Sequence, residues 1–255
     1  MPTVDDYRIV TDDPALQRAG LFVAEGRLVV ERLLEDARYR IHSVLVTSTA
    51  AAAMGGTLRT RADVPVIVSD LEAIRSVTGF NFHRGCLALA YRPEAEIPLD
   101  QLAVHPRILA IEGVGNPDNI GGLFRSALAL GVGAVLLDST AADPLYRKAT
   151  RTSMAATLRV PYSREGDLPA ALSRLRTRGY RIVALTPDCS ATALDEFDLD
   201  SGVRLVLVAG SESAGLTAPA FAQSDLRVRI PVDPRADSLN VVAAASIAMH
   251  ALRLR

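Results

Sequence analysis

Residues 111–138 read IEGVGNPDNIGGLFRSALALGVGAVLLD. An apolar run stops at Gly113 and a loop of Gly, Asn, Pro and Asp follows. A helix-periodic stretch then begins near Asn119 and leads into a second β-type run, GAVLLD (133–138). Strand, loop, helix and strand in that order make one βαβ unit, and the turn after the first strand is where open sheets of this kind hold ligands. Asn119 stands where a helix cap is expected. Gly121 and Gly122 fall in the first turn and leave room for a backbone or ligand to come close. Arg125 shares the helix with an apolar face of Leu123, Phe124, Leu128 and Leu130. A helix N-terminus with an arginine beside it suits a phosphate, and it equally suits an ordinary capped helix carrying a surface arginine.

The same alternation extends in both directions. β-type runs occur at HSVLVTS (42–48), VPVIVS (64–69), CLALAY (86–91), RILAIEG (107–113), YRIVALT (180–186) and VRLVLVAG (203–210). Helical periodicity marks 24–37, 69–77, 119–131, 167–178 and 238–253. This pattern predicts an α/β fold with a mostly parallel sheet. The stretch RPEAEIPLDQLAVHP (92–106), with Pro93, Pro98 and Pro106, divides it. The expected organisation is a small α/β domain over 1–92, a linker over 93–106 and a larger α/β domain over 107–255. TAAAAMGG (49–56) reads as an alanine-rich helix with a glycine stop.

At 255 residues and 49% hydrophobic, the chain is long enough for a sizeable core, and no apolar run approaches the roughly 18 residues of a membrane span. The acidic start MPTVDDYRIVTDD lacks the apolar core of a secretory signal, and Cys86 and Cys189 form no disulfide pattern, so a cytoplasmic protein is expected. A net charge of −1 argues at first against nucleic acid. It is a sum of opposites, −3 over residues 1–100 and +2 over 101–255. Residues 147–181 alone carry +7, including Arg147, Lys148 and Arg151. Such a cluster is either a solvated face or a phosphate-contacting surface.

Two further segments end β-type runs in the second half. In LVLVAGSESAGL (205–216) a strand enters a small-residue loop holding Glu212. In RIPVDPRADSLNVVAAASIAMHALRLR (229–255) Ile230-Pro231 ends a short strand, and Asp237 or Ser238 is the expected cap of an alanine-rich helix. Several chemistries are excluded. No Walker loop, no dinucleotide glycine fingerprint and no Gly-x-Ser-x-Gly elbow is present. The four histidines are scattered, and His83-x-x-Cys86 is too sparse for a zinc site, so no metal is expected. Aromatic content of 5% without tryptophan leaves little for stacking bases.

Taken in order, the three segments resemble the SPOUT superfamily of RNA methyltransferases, in its TrmH-type (SpoU) 2′-O-ribose branch. Asn119 to Arg125 within NPDNIGGLFRSA is similar to the first motif. Gly210-Ser211-Glu212 with Gly215-Leu216 is similar to the second, and Ile230-Pro231 with Ser238-Leu239-Asn240-Val241 to the third. LFVAEGRLVVERLL (21–34) resembles the Phe-x-x-Glu-Gly opening of the family's small substrate domain, which is of the ribosomal-protein L30e-like type.

The resemblance implies a deep trefoil knot in the C-terminal domain and S-adenosylmethionine as methyl donor, held by Leu185, Thr186, Gly210, Ile230 and Leu239. It implies a homodimer in which Arg125 of one subunit faces the cofactor of the other. Ser238 and Asn240 would orient ribose and cofactor, with Asn119 and Glu212 positioning the site. Arginine side chains in general keep their proton, so Arg125 is either a base tuned by an RNA phosphate or a clamp for that phosphate and the developing alkoxide. The substrate implied is ribosomal RNA ahead of tRNA, because of the added N-terminal domain, and the basic stretch 147–181 then reads as RNA-facing. The alternatives are a tRNA methyltransferase, a catalytically silent RNA-binding or assembly protein of the same fold, and a drug-resistance enzyme of the same chemistry.

Overall fold

A computed structural model describes residues 1–80, 82, 85–197 and 202–252. They form two compact units, Met1–Ala95 with Pro144–Leu158, and Glu96–Asp143 with Arg159–Arg255.

The first unit holds four strands, β1 (Leu21–Glu25), β2 (Ile41–Val46), β3 (Val66–Val68) and β4 (Cys86–Tyr91). They lie in the order β1-β4-β2-β3, with β4 antiparallel to both neighbours and β3 parallel to β2. CLALAY shows no alternation of polar and apolar residues because both sheet faces are covered. Phe22, Val44, Val46 and Ala88 face one core with Val29, Val30 and Leu33 of helix α1 (Arg27–Glu35). Val23, Leu45, Leu87 and Leu89 face the other, with Ile74 of helix α2 (Leu71–Thr78). The alanine-rich stretch forms a helix over Ser48–Ala53. Its glycines are no stop, since Gly55 begins another helix, Gly55–Thr60.

Pro144–Leu158 lies far along the chain yet completes this unit. Leu145, Ala155 and Leu158 enter the core of Phe22 and Val30. Thr150 Oγ1 donates to the Val23 carbonyl at 3.4 Å, and Arg38 Nη2 donates to that of Leu158 at 2.8 Å. Arg147 Nη1 meets Glu25 Oε2 at 2.6 Å, with its guanidinium 4.4 Å from the centre of the Phe80 ring. Sequence order assigns this segment to the second domain; its apolar side chains have joined the first core. The stretch 92–106 is likewise more than a spacer, because Leu99 and Leu102 are buried in the core of the second unit.

The second unit is a seven-stranded sheet of β5 (Arg107–Ile111), β6 (Ala134–Asp138), β7 (Tyr162–Glu165), β8 (Tyr180–Leu185), β9 (Thr192–Ala193), β10 (Arg204–Ala209) and β11 (Leu226–Arg229). The order is β7-β6-β5-β10-β8-β11-β9, and every described pair is parallel. Its helices include α3 (Pro117–Ala129), α4 (Leu168–Thr177), α5 (Ala218–Ala222) and α6 (Val241–Ala251). Leu168, Leu172 and Leu175 of α4 pack on Ala110, Leu136, Ile182 and Val206 of the sheet. No helix among the described residues is long and apolar enough to cross a membrane.

The basic stretch 147–181 is divided between the two units. Arg147, Lys148 and Arg151 belong to the first unit, whereas Arg164 to Arg181 belong to the second. Arg147 and Arg151 turn to Glu25, Arg164 to Glu96, Arg174 and Arg178 to Asp100, and Arg176 to Asp225. Arg181 stacks on Phe197. Acids distant in sequence neutralise most of the local excess, although exposed pairs of this kind hold weakly. Lys148 is exposed and has no partner among the described residues.

Candidate active site

The chain lays β6 and β7 on one side of β5, and β10, β8, β11 and β9 on the other. Strand order therefore reverses between β5 and β10, and the carboxyl ends of such neighbours are where open α/β sheets form a ligand crevice. Three loops leave these ends.

The loop after β5 starts at Glu112, which is buried. Its carboxylate accepts the Thr217 N–H at 2.8 Å and the Thr217 hydroxyl at 2.7 Å, which ties down the far end of the loop after β10. Asn116 caps α3, accepting the Asp118 N–H at 2.9 Å, and Pro117 takes the first helical position. Proline lacks an N–H and has a helical φ already set, so the helix starts earlier than expected. Asn119 is thus not the cap. It sits inside the first turn with its carboxamide free for the site.

The loop after β10 folds back on itself. The Gly215 N–H donates to the Ser211 carbonyl at 3.0 Å, and Gly215 has φ +67°. A Cβ on Gly210 would lie 2.6 Å from both the Gly215 oxygen and the Leu216 nitrogen. Only glycine fits there, where the loop folds tightly against itself beside the cavity.

The loop after β11 is exposed from Pro231 to Asn240. Asn240, not Asp237 or Ser238, caps α6, with Oδ1 accepting the Val242 N–H at 2.9 Å. The other end of the same carboxamide donates to Glu212 Oε1 at 3.1 Å and to Asn119 Oδ1 at 3.3 Å. Asn119 Nδ2 also donates to Glu212 Oε1. One carboxylate therefore gathers two carboxamides, and the three side chains come from three separate elements. Gly122 admits Val242 closely, since a Cβ there would lie 2.9 Å from its methyl groups.

A cavity of about 670 Å³ lies among the ends of β8, β10 and β11. Leu185, Thr186, Gly210, Ile230 and Leu239 all line it, as do Glu212 and Ser238. Asn119, Asn240 and Arg125 do not. Arg125 is exposed on α3 and has no partner among the described residues. Sequence reasoning missed Asp188, Cys189 and Phe221, which share the lining. The first two follow directly on YRIVALT, and their place at a strand's carboxyl end was the available signal. Hydrogen bonds from the Ser190 N–H and hydroxyl hold Asp188 below the usual carboxylate range. Among the described residues no His, Cys, Asp and Glu side chains gather as a metal ligand set. His83 lies outside the described residues, and burial pushes the Cys86 thiol up to about 12.

The fold is that of solved proteins described as RNA methyltransferases. An rRNA methyltransferase from Sinorhizobium meliloti, solved with bound AdoMet, matches 98% of this chain and 93% of its own, with TM-score 0.80 at 24% identity, a likeness of fold. The chain belongs to the SpoU rRNA methylase family of RNA methyltransferases, which residues 106–250 match. It is 38% identical to an uncharacterized tRNA/rRNA methyltransferase of Mycobacterium tuberculosis, over 98% of this chain and 88% of the relative. It is 32% identical to a 23S rRNA (guanosine-2′-O-)-methyltransferase of Burkholderia, over 78% of this chain and 81% of the relative. The resemblance carried by the three motifs is borne out at the level of the family.

Proposed function

We propose that the protein transfers a methyl group from S-adenosylmethionine to the 2′-hydroxyl of a ribose in ribosomal RNA, in the cytoplasm. The carrying observation is the juxtaposition of the cavity with the Asn119–Glu212–Asn240 cluster, which meets it at Glu212. The residues present fit the cofactor. The cavity lies within the roughly 300–1,000 Å³ of small-molecule sites. Leu185, Ile230 and Leu239 offer apolar surface for a purine, while the loop at Gly210, which lines the cavity without a side chain of its own, offers polar backbone atoms. When bound, the sulfonium supplies a methyl group already activated for in-line displacement.

The chain's own task is then alignment. Asn240 is fixed at the head of α6 and, with Ser238, orients the ribose; Asn119 and Glu212 hold Asn240 in place. Arg125 clamps an RNA phosphate and stabilises the developing alkoxide. It stands apart from the cavity of its own chain, and this supports a homodimer in which Arg125 of one subunit serves the cavity of the other. The return of α6 onto α3, after β11 has been laid several strands away, supports the trefoil knot. We read the first unit as the L30e-like substrate domain, with Lys148 and Arg151 as its phosphate contacts and Arg147 held back by Glu25.

The test is transfer of labelled methyl groups to RNA from a strain lacking the gene. Label is expected in ribosomal RNA, at a nucleotide whose 3′ bond resists alkaline hydrolysis. Label on a base refutes the 2′-O assignment, and label in tRNA alone refutes the substrate. The cavity has its own reporter. A thiol reagent is expected to modify exposed Cys189 in the native protein, spare buried Cys86, and react more slowly at Cys189 when S-adenosylmethionine is present. Peptide mapping by mass reads this directly, and unchanged protection argues against the cavity as the cofactor site.

A further inference from the structure

Arg107 opens β5 at the end of the sheet opposite the cavity, and it is 7% exposed. No carboxylate among the described residues pairs with it. Nη1 donates to the Leu130 carbonyl at 2.8 Å and Nη2 to the Met249 carbonyl at 2.7 Å, while the buried Nε has no partner. A buried cation without a counter-ion is costly, so what it meets instead is informative. Both carbonyls belong to helix C-termini, of α3 and of α6, where the helix dipole is negative.

The two helices run parallel and are matched along their length. Asn119 meets Asn240 at their heads, and Gly122 admits Val242 one turn on. The Ser126 and Ser246 hydroxyls lie 2.7 Å apart in the middle, and Arg107 joins the tails. The head contacts are amide hydrogen bonds between half-buried and exposed groups, which water can replace. The tail contact is buried, charged and bidentate across two helices. A helix is stiff along its axis, so register fixed at Leu130 is carried to Asn119, roughly 16 Å away at 1.5 Å per residue.

We propose that Arg107 is a positioning residue for methyl transfer: it locks the axial register of α3 against α6 and so sets Asn119 relative to Asn240. This role rests on the function proposed above for the same site. Arg107→Met keeps the stem and removes both donors and the charge. Arg107→Lys keeps the charge but can bridge only one carbonyl.

The measurement is the kcat of methyl transfer to RNA by the full-length protein, per cofactor site counted by calorimetry. Because a displacement of about 1 Å can cost on the order of 100-fold, Arg107→Met is expected to lower kcat at least about tenfold. Cofactor Kd should stay within about threefold of wild type, and Arg107→Lys should recover part of the loss. A kcat per site within about twofold of wild type in Arg107→Met, with only thermal stability reduced, overturns the proposal. If Arg107→Met does not fold, Ser126→Ala combined with Ser246→Ala loosens the same helix pair without stranding a charge. An unchanged kcat in that double variant also overturns the proposal. An inactive wild type would instead refute the reading of the site itself, and this role with it.

Discussion

Arg125→Ala is expected to slow single-turnover methyl transfer by a factor on the order of 100 to 1,000, while S-adenosylmethionine binds as before. The side chain is exposed, has no partner among the described residues and does not line the cavity. Its removal therefore costs the folded chain almost nothing, with stability within about 0.5 kcal/mol of wild type. What is lost exists only with RNA in place: a planar, doubly donating group aimed at phosphate and at charge that grows on the ribose oxygen. Lysine offers a point charge on a flexible stem, so Arg125→Lys should recover little of the rate. Full activity in Arg125→Lys would remove planarity from the account and leave charge alone.

Gly210→Ala is expected to weaken S-adenosylmethionine binding by on the order of 100-fold, because the cavity wall must move by about an ångström. The added methyl would press into the backbone of Gly215 and Leu216, where nothing can rotate away. Relief requires opening the Ser211–Gly215 turn, which carries Glu212 with it. The loop lies at the carboxyl end of the sheet and is largely open to solvent, so circular dichroism should report an intact fold while calorimetry reports the lost affinity. Binding within about threefold of wild type would mean that the loop is looser than its contacts indicate. The two variants together test the dimer. Each is strongly impaired alone when the cofactor is well below the Kd of Gly210→Ala, yet if Arg125 serves the partner's cavity, mixed dimers keep one intact site and a random mixture regains about a quarter of wild-type activity.

Much of this architecture was legible in the sequence. The β-type runs match β2, β3, β4, β5, β6, β8 and β10 to within a few residues; apart from the exposed edge strand β3, these are largely buried strands, written as nearly unbroken apolar stretches. The short strand ending at Ile230-Pro231 corresponds to β11, while β7 and β9 escaped because Tyr162–Glu165 reads YSRE with little apolar signal and Thr192–Ala193 is only two residues long. The five predicted cavity residues all line it, because strand-end loops in a parallel sheet converge wherever the order reverses. The helix caps were misread for a local reason. Each starting loop offers several Asn, Asp or Ser, and Pro117 and the extended backbone before Val241 decide among them. The partners of the basic stretch were illegible for a global reason, since Glu25, Asp100 and Asp225 are distant in sequence from the arginines they meet.

The first unit borrows Leu145, Ala155 and Leu158 from beyond the middle of the chain, and this fixes an order of events during synthesis. Residues 1–95 leave the ribosome with a core that lacks one wall. At about 5–20 residues per second, the missing segment follows some 3 to 13 seconds later. Until then Phe22, Val30 and their neighbours are open to water or to a chaperone. The first unit therefore cannot finish folding until residue 158 has emerged, when the opening strands of the second unit, β5 and β6, have already been made. A fragment cut at residue 95 would remain permanently in the state that the nascent chain only passes through.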